Sequence, residues 1–345
     1  MNVVSLFSGC GGSSLGYKGA GFNILAALEF IPSAAECYKE NHDNTIMIQK
    51  DIRDVIGADI LSAVGGQTID IVDGSPPCAS FSVVGKRDKL WGKVKEYSET
   101  KQRVDDLFFE FIRLASDLKP KFIIAENVKG LTQGKAKAVL YEILECYRSA
   151  GYKPFYKVLS ACDFGAPQLR PRVYIVAVRE DLTINGDFVF PSPTHSESEY
   201  ISVEKALENV EVCEEEINTL LAAGLKYANM QKWDEISGEG KWHPIRFNVG
   251  KNRWKNPSYT ITYTDSKLGA AGLCHPFEKR RHTVSEMKRL MGFPDNYVLT
   301  GTWQQKVERL GRSVCPQVIT AIAKEVEAYY NAYEQTCKEI NNDRL

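Results

Sequence analysis

An α/β fold, with a parallel sheet wrapped by helices, is predicted by three features of the sequence. Short apolar runs recur at 3–7, 24–29, 69–73, 122–126 and 173–178, each of strand length. Amphipathic stretches at 33–41, 105–118 and 135–150 lie between them, and this alternation is what strand–helix–strand units leave in a chain. Near "FPSPTHSESEY" the pattern dissolves into Pro, Ser and acidic residues, which sets a boundary around 185–200 and a less regular region beyond it.

The first strand runs into "FSGCGGSSLG", where Gly9, Gly11 and Gly12 permit close backbone approach at the carboxyl edge of a sheet. A nucleotide-like ligand fits such a turn, although G-x-G-G departs from the dinucleotide spacing and a tight turn alone uses the same residues. Glu29 ends the second strand, 20 residues after Gly9, where a carboxylate accepts from ribose hydroxyls; Asp51 ends the third, where it accepts from an adenine amine. Solvated strand-end acids would look the same.

The fourth strand ends in "GSPPCASFS". Pro76 and Pro77 fix two φ angles and remove two donors, so the chain turns stiffly and presents Cys78 in one orientation. A nucleophile benefits from that, whereas a packing cysteine does not need it. On the next strand "FIIAENVKGL" puts Glu126 and Asn127 at the carboxyl end, beside the Cys78 loop if consecutive strands are neighbours. A carboxyl beside a thiolate is equipped for acid and base chemistry. Arg170 and Arg172 precede a further strand at i and i+2, and in an extended chain they share a face. Past the boundary, Trp, Tyr, Lys and Arg are interspersed with weak periodicity until 283–290 and 316–330 regain helical spacing.

The 345 residues accommodate one large domain and a smaller one. No apolar run is long enough to span a bilayer and "MNVVSLFSG" lacks the regions of a signal peptide, so a cytoplasmic chain with no membrane partner is expected. Nine cysteines without a C-x-x-C pair argue against a disulfide framework and a structural zinc, and no metal is expected. The net charge of −1 hides an uneven distribution: residues 196–240 carry 3 basic and 11 acidic side chains, 241–312 carry 14 basic and 5 acidic. A basic stripe of this kind suits nucleic acid.

Taken in order, these segments resemble the DNA (cytosine-5) methyltransferases over most of the chain. "FSGCGG" resembles the family's cofactor loop, "GSPPCASFSVVGKR" its nucleophile segment, "ENVKGL" its acidic motif, "PQLRPR" its Gln-x-Arg-x-Arg motif, and "RRHTVSEMKRLMGFPDNY" and "LGRSVCPQV" its last two. The resemblance implies a Rossmann-like sheet with helices on both faces, binding S-adenosyl-methionine, over 1–184. It also implies an irregular target-recognition domain over 185–300, and a C-terminal segment, 301–345, that returns to the catalytic domain.

The same resemblance implies the chemistry. Cys78 would add to C6 of a cytosine flipped out of double-stranded DNA. Glu126 would hold a proton against N3, Arg172 would donate to the O2 edge, and Arg170 would steady the acidic motif or a closing loop. Phe7 would stack on the cofactor adenine, Glu29 hold the ribose and Asp51 the adenine amine. Ser8, Gly9, Gly11, Gly12, Phe30, Ile52, Pro76, Leu107, Arg312 and Ser313 would complete the cofactor's surroundings. Residues 85–103, with 7 basic and 3 acidic side chains, suit a loop that closes over DNA. Lys86, Arg87, Arg246, Lys251, Arg253 and Lys255 are the expected DNA contacts, reading bases or touching phosphates. The protein is expected to be a monomer, with a companion restriction endonuclease compatible with the family. A tRNA cytosine enzyme with the same core and an inactive DNA-binding relative are the rival readings; the latter would not need Cys78, Glu126 and Arg172 together.

Three positions depart from the family pattern. Ser5 stands where an acid commonly precedes Leu-Phe, Ala79 where Gln usually follows the cysteine, and Arg312 where Asn is nearly always found. An uncompensated guanidinium about 4 Å from the cofactor sulfonium would be repelled by about 4 kcal/mol at an effective dielectric of ~20. Arg312 would then turn away to a phosphate or to the cofactor's carboxylate. Alternatively it would select carboxy-S-adenosyl-methionine, binding the extra carboxylate in bidentate fashion and making the chain a carboxymethyltransferase.

Overall fold

The computed structural model describes residues 1–77, 94–96, 101–103, 106–134, 136–244, 249–267 and 272–342. Two compact units divide the chain: Met1–Leu159, Pro171–Ser192 and Val318–Leu345 form the first, Ser160–Arg170 and Pro193–Gln317 the second.

In the first unit the strands are β1 (Asn2–Leu6), β2 (Asn23–Leu28), β3 (Ile46–Ile48), β4 (Ile71–Gly74), a separate hairpin of β5 (Val94–Glu96) and β6 (Lys101–Arg103), then β7 (Phe122–Val128), β8 (Tyr152–Ser160) and β9 (Pro171–Arg179). Seven of them form one sheet in the order β3-β2-β1-β4-β7-β9-β8. The first five in that order pair in parallel, but β9 runs antiparallel to β7. The expected parallel sheet thus carries one antiparallel pair, at this strand. The roughly ten residues between β8 and β9 are too few for the crossover that a parallel neighbour needs, so the chain returns in the opposite direction. β3, with three residues, is too short to form an apolar run and was anticipated only as the strand that Asp51 ends; β8 left no run because only two of its nine residues are buried.

Alternating strand residues sort onto the two faces of the sheet. Val4, Leu6, Ala26, Leu28, Val72, Ile123, Ala125, Val173, Ile175 and Ala177 pack in one core with the helices Leu107–Leu118 and Ala136–Ser149. The Leu107–Leu118 helix buries Leu107, Phe108, Phe111, Ile112, Leu114, Ala115 and Leu118, a stripe at helical spacing. The opposite parity presents Phe122, whose ring meets Tyr329 and Tyr330 edge-on at 6.1 and 6.4 Å. Those tyrosines belong to the helix Pro316–Asn342, which also touches α1 (Gly12–Gly19): Thr320 Oγ1 donates to the Gly16 carbonyl at 2.8 Å. Helices therefore cover both faces, as a buried parallel sheet requires.

Gly74 closes β4 where space is shortest. A Cβ built there would lie 2.6 Å from the Phe111 ring and 2.9 Å from the Leu6 carbonyl oxygen. Only a glycine lets β1, β4 and the helix beneath them meet at this end.

The second unit is less regular. A short parallel pair, β10 (Val249–Lys251) with β11 (Gly272–Cys274), packs Val249 and Cys274 with Met230 and Ile236 in a small core. An ionic cluster supplements it. Arg280 donates to both Glu286 oxygens at 2.9 and 2.8 Å, and Glu286 also accepts from the Thr283 amide that opens the helix Val284–Leu290. Burial alone would raise the Glu286 carboxyl, but hydrogen bonds from Arg280 and His282 outweigh it and hold the group well below its usual range. Among the described residues no helix is long and apolar enough to cross a membrane.

Gly74→Ala is predicted to destabilise the first unit by about 1–3 kcal/mol through overpacking; chemical denaturation of the purified variant against the parent measures it.

Candidate active site

Four of the expected site residues lie at the carboxyl edge of the sheet because each stands at or just past the end of a parallel strand. Glu29 follows β2, Asp51 follows β3, Pro76 follows β4, and Glu126 lies near the end of β7. This edge is where ligands bind in open α/β sheets.

After β1 the backbone takes left-handed conformations at Phe7 (φ 53°), Gly9 (φ 56°) and Gly11 (φ 92°). Gly9 and Gly11 do so freely, whereas Phe7 is held there at a cost of about 1–2 kcal/mol. Strain of this kind is retained where the surroundings over-determine it. Three hydrogen bonds do so here. The Ser8 amide donates to the Leu28 carbonyl at 3.1 Å, the Gly11 amide to the Ser8 carbonyl at 2.9 Å, and the Gly9 amide to Glu29 Oε2 at 2.8 Å. The other Glu29 oxygen accepts from the Ile31 amide at 2.8 Å, so the carboxylate is fixed between the turn and the end of β2.

Asp51 caps a short turn at Ile52–Asp54, accepting from the Arg53 amide at 3.1 Å and from its guanidinium at 3.1 and 3.3 Å. Arg53 also pairs with Asp106, just before the fully buried Leu107. Ile52 is buried, and Phe30 is half-buried against Ile31 and Ala34. Gly12 opens α1.

The sheet places β4 beside β7, Gly74 opposite Ala125. Asn127 Nδ2 donates to the Pro76 carbonyl at 3.1 Å, and Asn127 Oδ1 accepts from the Val128 amide at 2.9 Å. The diproline segment is thereby pinned at its start to the neighbouring strand. Next to it Arg172 Nε lies 3.1 Å from Glu126 Oε1, both largely buried. The antiparallel register explains the meeting: Val128 pairs with Arg172 and Glu126 with Tyr174. Cys78 lies outside the described residues, as do Lys86, Arg87 and Arg246.

Arg170 and Arg172 have different partners. Arg172 stands in β9 of the first unit, while Arg170 belongs to the second. There its guanidinium is buried and donates to the carbonyls of Ile261 at 2.7 Å, Gly311 at 3.0 Å and Ser313 at 2.8 Å. What the structure shows for Arg170 is a clamp on two backbone segments, a role the sequence reading did not foresee. The Ser313 amide donates to Leu310 and its hydroxyl to the Val314 carbonyl.

Arg312 is compensated within its own helix. Its Nε and Nη2 lie 3.0 Å from Glu308 Oε1, one turn earlier, and its guanidinium sits 4.6 Å from the Tyr263 ring centre. The case for a carboxylated donor assumed an uncompensated charge. Glu308 supplies that offset, so the carboxymethyl reading is withdrawn.

Lys251 is also corrected as a DNA contact. It is 8% exposed, with its Nζ donating to the Ile236 carbonyl at 3.0 Å and lying 3.6 Å over the Trp233 ring. Burial lowers its pKa. Lys255 is exposed but engaged by Glu204 at 2.6 Å, and Arg253 stacks 4.2 Å from the Tyr259 ring centre.

Sequence reasoning missed Asp73 on β4. It is 2% exposed and accepts from Tyr17 Oη at 3.1 Å and Ser5 Oγ at 3.4 Å. Its one signal was an acid closing the apolar run 69–73, which also holds Asp70.

The turn suits an adenosyl cofactor on local grounds. Among the described residues Ser8 Oγ is buried without a hydrogen-bond partner, and apart from Gly9 and its chain neighbours none of them places an atom within 4 Å of where a Gly9 Cβ would be. An orphaned hydroxyl beside open space, next to a fixed carboxylate, is what a polar ligand would complete.

Residues 1–328 match the family model of C-5 cytosine-specific DNA methylase. The chain is 29% identical to the Type II methyltransferase M.DdeI of Desulfomicrobium norvegicum, covering 96% of this chain and 89% of that protein. It is 31% identical to the Type II methyltransferase M1.HphI of Haemophilus parahaemolyticus, covering 94% and 86%. A solved structure of Spodoptera frugiperda DNMT2 superposes with a TM-score of 0.69 at 20% identity, covering 94% of this chain and 99% of that one; at that identity the likeness concerns the fold.

Arg170→Ala is predicted to lower the stability of the second unit by about 3 kcal/mol or more, because three buried carbonyls lose a charged donor. Hydrogen exchange of amides around 261 and 311–313 would register it first.

Proposed function

The chain belongs to the C-5 cytosine-specific DNA methylase family, and from that premise we propose how its residues methylate cytosine at C5 in double-stranded DNA. The observation that carries the reading is the pairing of Glu126 with Arg172 at 3.1 Å beside a diproline segment that Asn127 holds by the Pro76 carbonyl.

Cys78, two residues beyond Pro76, is the nucleophile. Its thiolate adds to C6 of a cytosine extruded from the duplex, forming a carbon–sulfur bond and pushing electron density through the ring toward N3. Glu126 meets that charge with a proton at N3. Arg172 orients Glu126 and donates to the O2 edge, so both polar edges of the pyrimidine are bound by one ion pair. Once C5 carries the methyl group, a base takes the C5 proton, the carbon–sulfur bond breaks with its electron pair returning to the Cys78 thiolate, and the N3 proton goes back to Glu126.

S-adenosyl-methionine is the proposed cofactor, and when bound it supplies the methyl group on its sulfonium. Ser8 and the Gly9–Gly12 backbone would hold its polar end, Glu29 its ribose and Asp51 with the Ile52 amide its adenine; Phe7 would stack on the adenine and Leu107 line the floor. Support comes from the orphaned Ser8 hydroxyl and from the way Glu29 is fixed by two amides.

The second unit is proposed to read the target sequence, with Arg253 and Lys255 among its phosphate contacts and Lys86, Arg87 and Arg246 added from outside the described residues. A companion endonuclease is proposed because the relatives named above are Type II methyltransferases. We further propose a cytoplasmic monomer.

Cys78→Ala is predicted to abolish transfer of labelled methyl groups to duplex DNA, and Glu126→Gln to slow it by about 10²–10⁴-fold. Labelling of tRNA in preference to duplex DNA would refute the DNA reading. Lys255→Met should lower the salt-dependence slope of DNA binding by about one unit if that side chain meets a phosphate.

A further inference from the structure

The carboxylate that the family pattern places before Leu-Phe on β1 is Ser5 in this chain. Directly opposite, in the parallel register of β1 and β4, stands Asp73. The two side chains touch, Ser5 Oγ donating to Asp73 Oδ2 at 3.4 Å. We propose that Asp73 is a positioning residue for the cofactor turn, doing from β4 what an acid at position 5 would do from β1; the proposal rests on reading that turn as the cofactor site.

The geometry shows what the carboxylate holds. Tyr17 Oη donates to Oδ1 at 3.1 Å, and the Ser13 hydroxyl also bonds to the group. Ser13 and Tyr17 are four residues apart on α1, whose first turn continues the glycine turn. Residues at that spacing share one helix face, so a single carboxylate grips the start and middle of α1 and ties both to β1. The donors belong to two elements that the cofactor turn joins. Fixing them fixes the direction in which the turn's amides point.

The ionisable groups facing Asp73 are Tyr17 from α1, Tyr38 from α2 (Pro32–Lys39) and Glu126 from β7; Ser5 and Ser13 complete the donors. Burial, reinforced by Glu126, pushes the Asp73 carboxyl up to about 7 against the lowering effect of its three hydroxyl donors. A buried carboxyl among hydroxyls is costly to keep for packing alone. Ile71 and Val72, beside it on the same strand, show what packing alone selects.

Transposition predicts a reciprocal pattern. Asp73→Ser should weaken binding of S-adenosyl-homocysteine by about 10-fold or more while kcat at saturating S-adenosyl-methionine stays within about 3-fold. Ser5→Asp alone should also harm, because it sets two carboxylates opposite each other on neighbouring strands. The double variant Ser5→Asp, Asp73→Ser should recover binding to within about 3-fold of the parent. Equal loss in the double variant and in Asp73→Ser, or a neutral Ser5→Asp, overturns the proposal. Should Asp73→Ser be insoluble, recovery of soluble protein in the double variant is the supporting result, and continued insolubility the refuting one. Thermal midpoints of all four proteins without cofactor run the same cycle, so a parent that fails to bind S-adenosyl-homocysteine removes the cofactor reading while the transposition is still decided.

Titration adds a second readout. The folded pKa lies above the unfolded one, so Asp73's contribution to stability is full below about pH 4 and is lost as pH rises toward about 7. Asp73→Asn should remove that portion of the slope in denaturation measured across this range.

Discussion

The register of β1 between β2 and β4 is the constraint on which the rest depends. Ser5 pairs with Asp73 and Leu6 with Gly74 on one side, and Leu6 with Leu28 on the other. A slip of one residue would exchange the faces of every side chain on the strand. Ser5 would turn toward the core that holds Phe111 and Ile123, and an apolar neighbour would take its place beside Asp73. The alternation of polar and apolar residues on neighbouring strands forbids it, and Gly74 seals the choice where no other residue fits.

Charge at the carboxyl edge is governed by local partners. Glu29 is held by two amides, Asp51 by Arg53, and Glu126 by Arg172. Each carboxylate has a defined orientation before any ligand arrives, which removes reorganisation from the cost of binding. In the second unit Glu308 does the same for Arg312. A guanidinium at an unusual place in a motif is understood only once its partner one helical turn away is seen.

What could be read from the sequence follows from what each pattern measures. Apolar runs report burial on both faces, so β1, β2, β4, β7 and β9 were visible, and Glu29 and Glu126 came with them; Asp51 follows β3, whose three residues are too few to form such a run. Direction is not encoded in such a run; β9 was recognised as a strand and its reversal was not. The exposed face of β8 left no run to find. Charge counting made Lys251 a surface residue because Trp233 and the Ile236 carbonyl, which bury it, lie well before it in the chain. Arg170 misled for a related reason: its i+2 partner implied a shared face, but its contacts are Ile261, Gly311 and Ser313, about 90 to 140 residues on. Asp73 was overlooked because an acid in an apolar run lowers a strand score, although its hydroxyl donors are what make the strand viable.

The helix Pro316–Asn342 meets α1 across a separation of 304 residues, through Thr320 and Gly16. Synthesis delivers α1 long before this helix. The sheet's Phe122 face and the underside of α1 must therefore wait, uncovered, while the whole second unit is synthesised. A chain cut short before residue 316 leaves the first unit without its closing piece.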